Sequence, residues 1–153
     1  MACQSVNPST ESNDAQPVQS SPTVKKEKEE KSFATQIIEA AREGRMIFVD
    51  FPIGTPVQKV LKEWGTPEGG DPSLLIYEKS KFCGFYSRDT QQITAIRSVH
   101  PQLKKLSLQQ IQQELGNPEK KGSEFGDNYI LYKLGNYQIS FYYTGDRVNA
   151  IYL

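Results

Sequence analysis

The chain has 153 residues with 18 basic and 18 acidic side chains, so its formal net charge is zero. No basic stripe interleaved with aromatics is present, which leaves nucleic-acid binding without electrostatic footing. No apolar run approaches the roughly 18 residues that a membrane-spanning helix needs. The apolar fraction of 37% is low for a globular protein, and the deficit is concentrated in residues 1–31, which hold no aromatic, Leu or Ile and only three Val (Val6, Val18, Val24).

That N-terminal segment is rich in Ser, Pro, Gln, Asn and Glu and ends in the charge run Lys25-Lys26-Glu27-Lys28-Glu29-Glu30-Lys31. It cannot bury enough apolar area to offset backbone ordering at roughly 1–2 kcal/mol per residue. Residues 1–31 therefore read as a disordered tether, with the charge run as coil or as an extra solvated turn before the next helix. Met1-Ala2-Cys3-Gln4 ahead of such a tether resembles the stump of a bacterial lipoprotein, in which a small residue precedes the Cys that becomes lipid-bearing. On that resemblance Met1 stands in place of the signal peptide, and Cys3 is the lipidation site. A diacylated Cys3 would anchor the protein stably, outside the cytoplasm and on the cell membrane. The alternative is that Cys3 is incidental.

The ordered part begins with Ser32, placed to cap a helix over 32–44 whose apolar face is Phe33, Ile37, Ile38 and Ala41, with Gly44 as its stop. Arg45 to Pro52 is a short apolar stretch, either an edge strand or a packed connector. Thr55-Pro56 is a well-motivated helix start, with Thr55 as cap and Pro56 in the first helical position. Val57, Val60, Leu61 and Trp64 give the apolar stripe, Gly65 permits a left-handed stop, and Pro67 forbids continuation. Strands are expected near 74–78, 81–87 and 92–98, with a turn at Arg88-Asp89-Thr90-Gln91. A second helix is capped by Ser107, striped by Leu108, Ile111 and Leu115, and ended by Gly116 and Pro118. Strands follow near 129–134, 137–143 and 147–153, joined at Gly135-Asn136 and at Thr144-Gly145-Asp146.

The two halves match. Trp64-Gly65-Thr66-Pro67 falls on Leu115-Gly116-Asn117-Pro118 at an offset of 51, and Val57 and Val60 fall on Leu108 and Ile111. Ile76-Tyr77-Glu78 falls on Leu131-Tyr132-Lys133 at 55, and Phe85-Tyr86 on Phe141-Tyr142 at 56. Ile93-Thr94-Ala95-Ile96 falls on Val148-Asn149-Ala150-Ile151 at 55. The expected fold class is α+β: a tandem repeat of a helix plus a three-stranded antiparallel meander, with helices on one face of the sheet. The expected organisation is the tether 1–31 and one domain over 32–153, built from a leading helix (32–44), repeat one (53–98) and repeat two (106–153).

The Gly-x-Pro stop followed by three strands resembles the repeat of small bacterial lipoproteins of the outer-membrane-assembly (SmpA/OmlA) type. Two such units in tandem resemble the β-lactamase-inhibitor-protein architecture. From Phe33 to Leu153, including the inter-repeat segment from Arg97 to Ser107, the chain is similar to the YjgB-like family of uncharacterised Gram-positive lipoproteins. That resemblance implies a fold and a location and supplies no catalytic residues.

Chemistry is sparse. His100, between Val99 and Pro101, has Ser98 and Ser107 nearby, but neither serine sits in a nucleophile elbow. It reads as an exposed linker residue. Asp50, Asp71, Asp89, Asp127 and Asp146 are scattered over expected turns rather than grouped for Ca²⁺. Gly69-Gly70 and Gly122 with Gly126 read as loop glycines without a following Lys-Ser/Thr helix, so no phosphate cradle is implied. Cys83, between Phe82 and Gly84, reads as a small buried hydrophobe; a Cys3–Cys83 disulfide would tie down a segment that otherwise looks mobile. No metal site and no cofactor are expected.

The tyrosines form the most informative set. Strand alternation puts Phe85 on one face and Tyr86 on the other, and Ile139 and Phe141 on one face with Tyr142 on the other. Tyr86 and Tyr142 then lie on a helix-free face, and Tyr77 and Tyr132 are joined to them because the duplication pairs them too. A tyrosine-bearing open face suits protein or glycan recognition, against the plainer reading of cross-strand packing. The expected function is a non-enzymatic, monomeric, extracytoplasmic domain binding a protein partner through Tyr77, Tyr86, Tyr132 and Tyr142. A cell-wall glycan or small molecule is the alternative ligand, favoured by a closed pocket lined by Tyr and Trp64. A β-lactamase-inhibitor-like role and an enzyme rank behind.

Overall fold

The computed structural model describes residues 31–89 and 91–153; Cys3 and the rest of 1–30 lie outside the described residues. Helix α1 (Phe33–Arg42) starts as its cap predicts, with the Thr35 amide donating to Ser32 Oγ at 3.1 Å. It buries Ala34, Ile37, Ile38 and Ala41. The chain from 45 to 52 is a packed connector of turns that buries Met46 and Phe51.

Helix α2 (Val57–Trp64) departs from expectation at its start. Pro56 is the cap and makes no side-chain capping bond, while the Thr55 hydroxyl turns back to donate to the Pro52 carbonyl at 2.7 Å. The α2 start is instead tied down by backbone, with the Val57 amide donating to the Gln91 carbonyl at 2.8 Å. Helix α4 (Leu108–Leu115) has the full capping box between Ser107 and Gln110, which satisfies two amides that a helix start otherwise leaves orphaned. Its first amide, Leu108, donates to the Asp146 carbonyl at 3.1 Å. Gly65 and Gly116 end the two helices at φ 80° and 75°, a conformation that costs glycine least.

The strands form one open antiparallel sheet of eight, two more than the six expected. They are β1 (Gly69–Asp71), β2 (Leu74–Tyr77), β3 (Cys83–Tyr86), β4 (Ala95–Ser98), β5 (Lys120–Glu124), β6 (Asp127–Leu134), β7 (Tyr137–Thr144) and β8 (Arg147–Tyr152). A helical turn, α3 (Glu78–Lys81), joins β2 to β3, and a 3₁₀ segment (Pro101–Lys105) joins β4 to α4. The strand order is β1-β2-β3-β4-β8-β7-β6-β5, so two four-stranded meanders meet where β4 pairs with β8. Each half thus has four strands rather than three. Gly69, Gly70 and Gly122, read as loop glycines, lie in the edge strands β1 and β5. Those edges carry no apolar alternation because all but Gly122 of their residues are exposed.

One side of the sheet is core. Tyr77, Phe85, Ile96, Ile130, Ile139, Phe141 and Ile151 pack in a single cluster with Ile37 and Ile38 of α1, Val57 and Val60 of α2, and Ile111 of α4. Trp64 of α2 lies against Phe51, Tyr77 and Phe85 with ring centroids 4.9, 5.3 and 5.6 Å apart. The opposite side, here the outer face, is set by the same two-residue alternation. A bulge in β8 at Asn149 lets Val148 and Ile151 both reach the core and turns Ala150 and Tyr152 outward.

Candidate functional site on the outer sheet face

Tyr77 and Tyr132 are not on the outer face. They are 2% and 4% exposed, because their strand partners are the core residues Cys83 and Ile139. Each ring is buried and each hydroxyl donates to the carbonyl that closes a helix: Tyr77 to Gly65 at 2.7 Å, Tyr132 to Gly116 at 2.9 Å. Burial pushes both phenols above their ordinary pKa, with the charge of Cys83 adding to the shift at Tyr77. These two residues lock helix ends to strands and are unavailable to a partner.

Tyr86 and Tyr142 are half-buried on the outer face, joined there by Tyr129 and Tyr152. Ring contacts run across four strands: Tyr86 to Tyr152 at 6.3 Å, Tyr152 to Tyr142 at 4.9 Å, Tyr142 to Tyr129 at 5.4 Å. At the far end Tyr129 lies over Gly122 of the edge strand, where a Cβ would stand 2.7 Å from the phenol oxygen. Arg97 crosses the middle of this ladder. Its guanidinium carbon lies 5.5 Å from the Tyr152 ring centroid, and it is ion-paired with Glu78. The Tyr142 hydroxyl donates to Glu124 at 2.9 Å. Burial, then that hydrogen bond and the carboxylate charge, push the Tyr142 phenol strongly upward. Burial, then Tyr152, raise Tyr86.

Beside Tyr152 the β5–β6 hairpin closes over a recess of about 150 Å³, walled by Glu124, Phe125, Asp127, Tyr142, Tyr152 and Arg97. Phe125 is 93% exposed at the hairpin tip. It sits at φ 53°, in the left-handed region, one residue before Gly126. Two other phenylalanines share that strained region and are partly exposed, Phe48 at 40% and Phe82 at 37%. Both rest on the His100 ring, at 4.1 and 5.3 Å. His100 is thus a packed residue, half-buried between rings, and its Nδ1 accepts from the Gln102 amide at 3.2 Å. Cys83 is a free, fully buried thiol whose pKa burial pushes up to about 12, so it is chemically quiet.

Tyr129, Tyr152 and Phe125 escape sequence reasoning for separate reasons. The β8 bulge hides the facing of Tyr152. Tyr129 has no repeat counterpart among the matched positions. Phe125 precedes Gly126 just after Lys120–Glu124, a stretch that lacks strand-like alternation. The available signal was Phe125-Gly126 itself, an apolar residue where a two-residue hairpin turn calls for Asn, Asp or Gly.

A family model, "Domain of unknown function (DUF4309)", matches residues 34–152, and the chain belongs to that family. Among solved structures it is similar to a DUF4309 family protein (YjgB) from Bacillus subtilis, at a TM-score of 0.59 and 18% identity. The alignment covers 78% of this chain and 93% of that one. At that identity the likeness speaks for the fold alone. Among curated proteins, none matches the chain.

Proposed function

We propose that this chain is a non-enzymatic binding domain that holds a protein partner on its outer sheet face. The observation that carries the reading is the ladder of Tyr86, Tyr152, Tyr142 and Tyr129, half-exposed and continuous across both halves of the sheet. Tyrosine offers a large contact area, a hydrogen-bonding tip and few rotamers to freeze. The face is open, and Trp64 packs into the core instead of lining a closed pocket, which favours a protein over a glycan.

The domain is read as a tandem repeat whose helices share one face of the sheet. Support comes from the paired locks: Tyr77 to Gly65 beside Tyr132 to Gly116, and Val57 to Gln91 beside Leu108 to Asp146. It is read as carried outside the cytoplasm on a lipidated Cys3, which the composition of 1–31 supports. Growth of the source cells with a labelled fatty acid tests this, since a Cys3→Ser chain that still takes up label would remove Cys3 from the proposal.

Crosslinking at the native cell surface supplies the partner, and the purified partner is then bound to the full chain. Tyr86→Ala and Tyr142→Ala should each weaken binding at least tenfold, about 1.4 kcal/mol, while Tyr77→Phe and Tyr132→Phe leave it unchanged. Unchanged affinity in both alanine variants would sink the site.

A further inference from the structure

We propose that the recess under the β5–β6 hairpin takes a basic side chain, an arginine or lysine, from the partner protein, with Phe125 as the apolar anchor beside it. The inference rests on the outer-face reading above and names the chemistry at its centre.

Charge points to a cation. Arg97 is already neutralised by Glu78 and laid against Tyr152. Glu124 and Asp127 accept hydrogen bonds from the Tyr142 and Thr144 hydroxyls, at 2.9 and 3.4 Å. Among the described residues neither is paired with a basic side chain. Two carboxylates without a basic partner thus face a recess whose other walls are Phe125, Tyr142, Tyr152, Ala150 and the Arg97 already paired with Glu78. Aromatic faces attract cations through their quadrupole, so the rings of Phe125, Tyr142 and Tyr152 and the two carboxylates favour the same guest. The recess of about 150 Å³ corresponds to roughly five waters at about 30 Å³ each. That is room for a guanidinium or ammonium group and part of its stem. The carboxylates repel anionic lipid headgroups, and an uncharged sugar would leave them without a counter-charge.

Conformation points to an anchor. All three positive-φ phenylalanines are partly exposed, but Phe48 and Phe82 are held by His100. Phe125 is almost fully exposed and sits in a conformation that disfavours its own side chain. A strained, exposed aromatic at the lip of an acidic recess fits a contact made in trans.

The test uses the full chain labelled with ¹⁵N and titrated with Nα-acetyl-argininamide, Nα-acetyl-lysinamide, neutral Nα-acetyl-glutaminamide and acidic Nα-acetyl-glutamate. The cationic probes should give saturable amide shifts at Gly126, Asp127, Ala150 and Tyr152. Those shifts should weaken with added salt, and by at least fivefold in Glu124→Gln/Asp127→Asn. The same spectra report whether the double variant is folded, and the single substitutions serve if it is not. Equal shifts with the neutral or acidic probe, no shift with any probe, or shifts unchanged by the substitutions would overturn the proposal. So would binding to phosphatidylglycerol vesicles that Phe125→Asn abolishes, because the tip would then belong in lipid. Tyr86 lies outside the recess. If Tyr86→Ala weakens partner binding while the cationic probes fail, the outer face stands and the recess falls; the opposite pattern removes the face and keeps the recess.

Discussion

Four tyrosines at matched sequence positions divide into two kinds. Tyr77 and Tyr132 point into the core and fasten the ends of α2 and α4 through Gly65 and Gly116. Tyr86 and Tyr142 point outward and touch other tyrosines. All four phenols are shifted upward, so a raised pKa alone does not separate the roles. What separates them is the hydroxyl's partner: a helix-terminal carbonyl inside, another side chain outside. Matched sequence positions therefore do not by themselves say which face of the sheet a side chain takes.

Alanine substitution gives the widest separation. Tyr77→Ala and Tyr132→Ala remove a buried ring and should each cost about 3–5 kcal/mol, the range for deleting a buried aromatic. Tyr86→Ala and Tyr142→Ala should cost about 1 kcal/mol, as their rings are half in solvent. Urea unfolding of the four variants measures this, and equal losses on the two faces would erase the distinction.

Alkaline pH comes next. Native Cys83, Tyr77 and Tyr132 hold their protons above the pH at which the unfolded chain releases them, so unfolding releases protons. Stability is then level below the ordinary thiol pKa near 8.5. It falls as pH rises from there towards about 12 for Cys83, and from near 10 for the phenols. Each group contributes a slope of about 1.4 kcal/mol per pH unit between its unfolded and folded values. Urea midpoints at rising pH should decline along this course, less steeply in Tyr132→Phe; a midpoint that stays level would contradict the buried assignment of these groups.

Removing single hydroxyls is a finer cut. Tyr132→Phe loses its bond to Gly116 and Ser107→Ala loses the α4 capping box. Each should cost about 1 kcal/mol. Thr55→Val, at the matching start of α2, breaks only the bond to the Pro52 carbonyl and leaves the backbone tie from Val57 to Gln91. Thermal unfolding of Ser107→Ala should show the larger shift, and the reverse order would mean that Thr55 acts as a cap after all.

The elements built on strong local signals were legible in the sequence. Ser32 and Ser107 cap helices, Gly65 and Gly116 stop them, and Gly135-Asn136 turns β6 into β7, all as read from residue type and spacing. The facing of Tyr86 and Tyr142 followed from alternation with Phe85 and Phe141. Two strands were invisible because β1 and β5 are edges: with no buried face, Gly69–Asp71 and Lys120–Glu124 carry no period-two pattern. Matching positions carry no register, and Tyr77 faces Cys83, itself a core residue. The recess draws Arg97 from β4, Tyr142 and Tyr152 from β7 and β8, and Phe125 from a hairpin tip. Such a meeting depends on the strand order, which local patterns do not contain.

The smallest effect separates Phe125 from the other two phenylalanines in left-handed backbone. A non-glycine residue there costs roughly 1–2 kcal/mol, and Asn, whose short polar side chain bonds locally, relieves part of that. Phe125 loses no ring contact on substitution, because its side chain stands in solvent. Phe48→Asn would strip the ring stacked at 4.1 Å on His100. Phe125→Asn should therefore raise stability by somewhat under 1 kcal/mol, while Phe48→Asn lowers it. Thermal unfolding of the two variants settles the sign at each site. A gain at Phe125 would mean that the native chain carries a destabilising aromatic at an exposed hairpin tip, which folding alone does not require. A loss there would mean that the ring supports the hairpin, and the case for Phe125 as an anchor would weaken accordingly.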